Sequence, residues 1–298
     1  MTWPIITLHG ANGDTLPLSG PGSDEGYKIM RKGFVGYFDA ATTTEWTRAR
    51  RERGGRYKGM EQSEREIEIP FRVTSDREWA DLDSRLAKAI PYELDRWDED
   101  ARLARLEIET PDSLRWIDVQ RSRDPQYSPE LDAVKALQLG EGIVTYFLKA
   151  ANPMWASAPT VTSWETGSTS GSGTITISNP TDQPMYHEWV LTPGTWTVPD
   201  PEWGGPEGRR VIRHQRDIEL RPNTSGLRIS LDPMARMFRD MEGINVAGQV
   251  AAGYWLLHEI PPHTPPTDLP ISVTDAPSGG ARAELHQPRL WSRPWGLE

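Results

Sequence analysis

Six histidines, His9, His187, His214, His258, His263 and His286, are the side chains best suited to acid–base or metal chemistry. His187-Glu188 and His258-Glu259 each begin like H-E-x-x-H, a pattern that sets two zinc ligands on one helix face beside a glutamate base. Position 191 is Leu and position 262 is Pro, so neither pattern gains its second histidine, and the proline also forbids the helix. His258 and His263 lie close together in a proline-rich turn, where a solvated or hydrogen-bonded loop histidine is the plainer reading than a metal ligand. The tract Asp98-Glu99-Asp100, with Asp95 nearby, carries hard oxygen donors but lacks the glycine and regular acidic alternation of a calcium loop. A solvated turn after Trp97 suits it better. Gly167–Gly171 places Thr169 where a nucleophile elbow needs serine, and no phosphate-cradling glycine motif follows a strand and opens a helix. Cysteine is absent, which excludes disulfides, thiolate zinc sites and cysteine nucleophiles. No carboxylate pair stands out for glycoside or cell-wall hydrolysis. The sequence predicts no catalytic residue, no metal and no cofactor.

Two features suit binding instead. The segment Arg48–Lys58 concentrates Arg48, Arg50, Arg51, Arg53, Arg56 and Lys58 among Gly54, Gly55 and Gly59, and it is the strongest charge cluster in the chain. It could grip phosphate, yet Glu45, Glu52, Glu61 and Glu64 interleave with it and only Tyr57 supplies an aromatic. A glycine-hinged loop whose arginines pair with carboxylates on a neighbouring copy fits that mixture better. The second feature is the 13 tryptophans. Trp189, Trp196, Trp203, Trp255, Trp291 and Trp295 are candidates for interface packing or for stacking on sugar rings, with core and interface packing the plainer role.

The elements that must carry these residues are mostly strands. Ile67, Ile69, Phe71 and Val73 alternate with Glu66, Glu68 and Arg72, the period of a half-buried strand. Pro70 falls on its polar side and marks an edge strand or a bulge. A helix is predicted over 76–90, with Ser75 as N-cap, Glu78 completing a capping box, and Trp79, Leu82, Leu86 and Ala89–Ile90 along one face. Strands are expected at 102–109, 115–120, 134–139 and 143–150. Beyond them the periodicity predicts strands at 174–178, 187–191, 211–220, 226–231, 253–260, 269–274 and 281–287, and a short helix near 233–241. Such closely spaced strands with Gly, Pro and Asn between them argue a β-sandwich or jelly roll.

Composition divides the chain near residue 152. All six lysines precede it and 18 of the 26 prolines follow it. The reading is therefore a first domain over 1–152, a hinge and flexible loop over 153–173, and a second domain over 174–298. The net charge is −10, with 22 Lys and Arg against 27 Asp and Glu before residue 153, and 11 against 16 after it. Neither part has the basic excess that drives nucleic-acid affinity. Met1–Leu8 lacks the basic start of a signal peptide, and no apolar run approaches a membrane span, so a protein that is not inserted in membranes is expected.

Several stretches carry a family likeness. They are the strand-then-helix unit Ile67–Ile90, the run Ile143–Trp155 that closes on Asn152-Pro153-Met154-Trp155, the strand flowing into Asn179-Pro180, and the run from Ile260-Pro261-Pro262 to Trp291-Ser292-Arg293-Pro294-Trp295-Gly296. In these the chain resembles the distal tail proteins of long-tailed, siphovirus-type bacteriophages, and in particular the minor tail proteins of phages that infect actinobacteria. Asn179 departs from the pattern, being followed by Pro-Thr-Asp where an Asn-x-Gly turn is expected. The resemblance implies a mainly β protein: an N-terminal tail-tube-like split β-barrel with one flanking α-helix, and a C-terminal galectin-like β-sandwich. It implies a hexameric ring at the distal end of the virion's tail, assembled in the bacterial cytoplasm. Tail tube protein would lie on one side and the tip or hub protein on the other, with the tape measure protein as a further partner and DNA passing through without specific binding. A carbohydrate-binding receptor module is the alternative that the tryptophans support.

Overall fold

The computed structural model describes residues 4–23, 26–30, 32–51, 53–74, 79–98, 100–128, 132–204, 211–251 and 253–298. The chain forms two compact units, one of residues 1–156 and 291–297, the other of residues 157–290 and Glu298. The boundary falls four residues beyond the composition shift, and the return of 291–297 to the first unit is a feature the sequence reading lacked.

The first unit contains β1 (Ile5–His9), β2 (Thr15–Ser19), β3 (Tyr27–Ile29), β4 (Thr42–Thr47), β5 (Arg56–Gln62), β6 (Arg65–Thr74), α1 (Trp79–Ala89), β7 (Ala104–Glu109), β8 (Leu114–Tyr127), α2 (Ala133–Leu139) and β9 (Glu141–Ala150). Seven of these strands pair in the order β2-β1-β7-β8-β9-β6-β3, each pair antiparallel. Strand β8 is long enough to serve two ladders. Its first half pairs with β7, and its second half, past register shifts at Arg121 and Arg123, pairs with β9. Bulges of this kind bend a strand and increase its twist. Among the described residues β2 and β3 share no ladder, so the sheet stays open there.

Alternation builds the core. Ile67, Ile69, Phe71 and Val73 are buried on one face of β6, as are Leu106 and Ile108 on β7 and Ile117 and Val119 on β8. Helix α1 buries Trp79, Leu86 and Ala89 against it. The Tyr27 hydroxyl donates to Leu82 O at 2.7 Å and the Tyr127 hydroxyl to Asp83 Oδ1 at 2.8 Å, tying the helix to β3 and β8. Burial pushes the Tyr27 phenol up to about 12. The predicted cap residues Ser75 and Glu78 lie outside the described residues.

Two expectations for this unit are corrected. Pro70 sits in an interior strand, between β3 and β9. It faces Met30, just past the end of the β3 ladder, where Met30 N donates to Pro70 O at 2.9 Å, so the return bond a proline cannot make is missing only at the end of that ladder. The strand expected at 134–139 is helix α2. Asp132 caps it by accepting from Val134 N and Lys135 N, and Gly140 ends it in the left-handed conformation at φ 69. Capping at both ends outweighed an apolar alternation whose Val134, Leu137 and Leu139 remain exposed.

The second unit contains β10 (Trp155–Thr166), β11 (Gly171–Asn179), β12 (Glu188–Leu191), β13 (Thr195–Gly204), β14 (Val211–Glu219), β15 (Leu227–Ser230), β16 (Phe238–Arg239), α3 (Ala247–Val250), β17 (Thr264–Thr274) and β18 (Ala281–Trp291). Two antiparallel sheets, β16-β15-β12-β18-β10 and β11-β17-β13-β14, enclose a core that includes Trp189, Trp196, Val198, Ile271 and Leu285. This is a β-sandwich. Much of the expected hinge and loop over 153–173 is strand β10. Residues 253–260 are irregular, and 233–241 form a turn followed by β16, because Asp232 Oδ1 accepts from Met234 N and closes the chain before a helical turn can form. Asn179 explains its own departure from the expected turn: its amide donates to the carbonyls of Gln183, Ile260 and Pro261 while Oδ1 accepts from Thr181, so a side chain does the work of a glycine turn. Among the described residues no helix is long and apolar enough to cross a membrane.

One buried group makes this sandwich acid-sensitive. His187 is 1% exposed, its Nδ1 has no hydrogen-bond partner, and burial pushes its pKa down to about 4 from an ordinary 6.5, against an opposing pull from Asp200. The folded ring stays neutral while the unfolded ring protonates freely, so its contribution to stability is full above pH 6.5 and is lost as pH falls toward 4. The loss is expected to reach about 3 kcal/mol. Urea unfolding of wild type and His187→Leu measured from pH 7.5 to 4 should show wild type losing stability relative to the variant as pH falls; a difference that does not change with pH would remove His187 as the cause.

Candidate functional site: an exposed arm and its buried root

Residues 42–62 leave the body of the first unit as a two-stranded antiparallel arm, β4 against β5, that pairs with no other strand among the described residues. The sequence predicts a glycine-hinged loop over Arg48–Lys58. Instead Arg56 and Lys58 lie on β5, while Arg48, Arg50, Arg51 and Arg53 lie in the connection at the tip. All are exposed, and the backbone doubles back at Gly54, whose φ is 86.

The arm's two faces differ. Trp46 stands opposite Tyr57 and Thr44 opposite Met60, with a register shift next to Trp46 that brings Tyr57 to the same side. The rings of Trp46 and Tyr57 meet edge to face at 5.5 Å. Trp46, Tyr57 and Met60 are 61%, 54% and 61% exposed. Glu45, Glu61 and Arg56 belong to the opposite, polar face. A two-stranded ribbon without a third strand or a packed face is marginal in water, and here nothing of its own unit among the described residues covers the apolar face.

The root is built quite differently. Arg65, the first residue of β6, is 1% exposed and among the described residues contacts no carboxylate. Its guanidinium donates to backbone carbonyls instead: Nη1 to Gly36, Tyr37 and Asp39 at 3.1, 3.0 and 2.9 Å, Nε to Pro153 at 2.7 Å, and Nη2 to Ser292 at 2.8 Å. Burial lowers its pKa to about 10, which leaves it charged near neutrality. Around it, Phe34 stacks on Tyr37 with centroids 4.1 Å apart, Trp295 packs on Tyr37 and Phe38, and Arg293 Nε meets Asp39 Oδ1 at 2.5 Å. Trp155 Nε1 donates to Tyr37 O at 2.9 Å. A second buried arginine, Arg115, seats the same 291–297 segment by donating to Arg293 O and Gly296 O and lying 3.8 Å over the Trp291 ring.

The tryptophan candidates separate. Trp189 and Trp196 are wholly buried in the sandwich core and Trp291 in the core of the first unit, so none of the three can stack on a sugar. Trp203 and Trp295 are half-buried, and Trp255 is 49% exposed. Three aromatics in line on one open sheet face, which a sugar platform requires, do not occur among these six.

The histidine and acid candidates also resolve. His258 Nδ1 lies 3.1 Å from Asp200 Oδ2, whose side chain is wholly buried. Asp200 also takes Arg216 Nε at 3.1 Å, Leu257 N at 3.1 Å and His258 N at 3.0 Å. Arg216 in turn donates to Trp255 O. This cluster fastens the irregular 254–258 segment to β13 and β14, and His258 hydrogen-bonds no serine or threonine among the described residues. Asp95 and Asp98 use their carboxylates to accept from Trp97 N and Asp100 N, as turn-forming aspartates do; Glu99 lies outside the described residues. Among the described residues no three histidine or acidic side chains converge on one point.

No family model and no curated protein matches the sequence. Among solved structures, the Dit protein of SPP1, described as a paradigm of the hub adsorption apparatus in phages infecting Gram-positive bacteria, aligns over 96% of this chain and 98% of its own, with a TM-score of 0.54 and 10% identity. The chain has the fold of Dit. Two structures of the phage P2 baseplate in its activated conformation, with Ca and with Sr, align over 97% of this chain and 98% of theirs, at 8% and 9% identity and TM-scores of 0.46 and 0.48. The match to Dit runs through residues of both units.

Asp200 provides a test of the sandwich's internal bracing. Asp200→Ala strips the acceptor from two backbone N–H groups and leaves Arg216 without its carboxylate, and it is expected to cost about 3 kcal/mol of unfolding free energy. Denaturant unfolding of the variant against wild type measures this; a loss below about 0.5 kcal/mol would mean the cluster braces nothing.

Proposed function

We propose that the protein is a non-catalytic structural component of the distal phage tail, in which six copies form a ring that joins the tail tube to the tail tip. In this reading the first unit is a tail-tube-like split β-barrel, opened between β2 and β3, and the second is a galectin-like sandwich. The first units would line a channel through which DNA passes without specific binding, with the tail tube, hub and tape measure proteins as neighbours. The Dit fold over nearly the whole chain supports the place in the tail. The observation that carries the assembly reading is the arm, an apolar ribbon that its own unit leaves uncovered.

Magnitudes decide what holds copies together. Each of Trp46, Tyr57 and Met60 contributes roughly 1.5–3 kcal/mol when an exposed side chain of that size is covered. An exposed Arg–carboxylate pair contributes only about 0–1 kcal/mol. The aromatic face is thus the anchor, and Arg48, Arg50, Arg51, Arg53, Arg56 and Lys58 steer and orient against a neighbour belonging to a chain of net charge −10. Closed rings repeat one heterologous contact around an axis, and an arm reaching from one copy onto the next is such a contact.

Light scattering on wild type and on Trp46→Ser/Tyr57→Ser tests this. The double variant should weaken assembly at least about tenfold per contact while its monomer keeps its stability within about 0.5 kcal/mol, since both side chains are exposed. Changing Arg50, Arg51, Arg53 and Arg56 together to Glu should also weaken assembly, by a salt-dependent amount. Rings that form normally in both variants, with salt-sensitive DNA retention lost in the second, would make the arm a DNA grip instead. Imaging that finds one copy per tail would overturn the ring.

A further inference from the structure

The chain passes out of the first unit at Ala156 and returns to it at Trp291. Both of these connecting stretches end on the root of the arm. The outgoing one contributes Pro153 O to Arg65 and Trp155 Nε1 to Tyr37 O. The returning one contributes Ser292 O to Arg65, Arg293 to Asp39 and the face of Phe38, and Trp295 to Tyr37 and Phe38. The root's own backbone supplies the remaining acceptors, Gly36, Tyr37 and Asp39. One buried cation therefore completes its set of hydrogen bonds only when three separate segments are in place together. If any one withdraws, a buried charged donor loses its acceptor, and the guanidinium is drawn toward water at the expense of its bonds to the other two segments. On either side, the root is held by backbone bonds, to β6 at Val35–Glu68 and to Ser63, just past β5, at Ala41. The stretch between Val35 and Ala41 depends on Arg65 and on the connectors.

We infer that Arg65 makes the arm's root a latch that is closed only while both connecting stretches are seated. Displacement of the returning stretch 291–297, as by load carried along β18, then frees the arm to change direction. The latch is a property of the first unit by itself; only the step from a freed arm to altered assembly rests on the reading of the arm given above.

Hydrogen exchange resolved by mass spectrometry tests it, with wild type and variants compared at concentrations where light scattering gives them the same mass. Arg293→Ala/Trp295→Ala removes side chains of the returning stretch that are at least partly exposed, and touches neither Arg65 nor the arm. Exchange at residues 36–41 and along the arm strands 42–47 and 56–62 should quicken at least tenfold, with β7 and β8 unchanged. Arg282→Ala, which removes an exposed ion pair with Glu165 further back on β18, should leave the arm as in wild type. Unchanged exchange at the root in the double variant overturns the latch, and so does equal loosening in the Arg282 control. Should the double variant also open β7 and β8, the single change Arg293→Ala decides on the same readout. Because exchange is read at matched assembly state, a latch that fails leaves the ring reading to the arm-face variants, and a ring that fails leaves the latch standing.

Discussion

The architecture of the first unit rests on a positive charge that has no negative partner in contact among the described residues. Arg65 is buried as deeply as the leucines around it, and an unpaired ion in such a place is normally excluded by its lost hydration. Five carbonyl oxygens stand in for water. Carbonyls carry only partial charge, so several must converge, and their convergence dictates where the chain goes. The 36–39 stretch, the exit at Pro153 and the return at Ser292 meet because one guanidinium fork needs all of them. Lysine could not substitute: three donors on a point charge do not span three segments lying in different directions.

The same device recurs nearby with a different emphasis. Arg115 sits on β8 with the same burial, but its charge is spread over the face of Trp291 as well as two carbonyls. Between them the two arginines fix a stretch of chain with no regular secondary structure, one that hydrophobic packing alone would hold only loosely. The sandwich uses the inverse arrangement, a buried carboxylate at Asp200 that gathers backbone N–H groups and one arginine. In each unit, then, buried charges discipline an irregular segment, two arginines in the first and Asp200 in the second, while the regular strands are left to apolar alternation.

Alternation is why so much of the fold could be read in advance. The inward residues of β6, the Trp79–Ala89 helix face, and many of the short strands of the second unit follow from period and punctuation. Where local signals competed, the stronger one was misjudged: Asp132 and Gly140 made a helix of an alternating stretch, and Asp232 closed a turn where a helix was expected. The candidate arginines were found as a cluster, but Trp46 and Met60, which give the arm its apolar face, carry no cluster signal, because a strand pairing far from any core has no periodic partner. Arg65 was legible and overlooked. It has the same parity as Ile67, Ile69, Phe71 and Val73, so extending that alternation one step back already turns an arginine inward. Arg115 stands in the same relation to Ile117 and Val119. The return of residues 291–297 to the first unit left no local trace, since it is a long-range consequence of those two side chains.

Gly36 stands where the root passes over β6, with φ at 80 and so little room that a β-carbon would lie 1.9 Å from Glu66 O. Any other residue would have to tilt the chain at that point to exist there at all. Strand β4 alone extends roughly 20 Å beyond, at about 3.3 Å per residue. The arm is therefore a lever with its fulcrum at a glycine, and a few degrees of tilt at the fulcrum become about 1–2 Å at the end of β4. Affinity for whatever the arm touches is encoded in its aromatic face; the aim of the arm is encoded in a hydrogen atom.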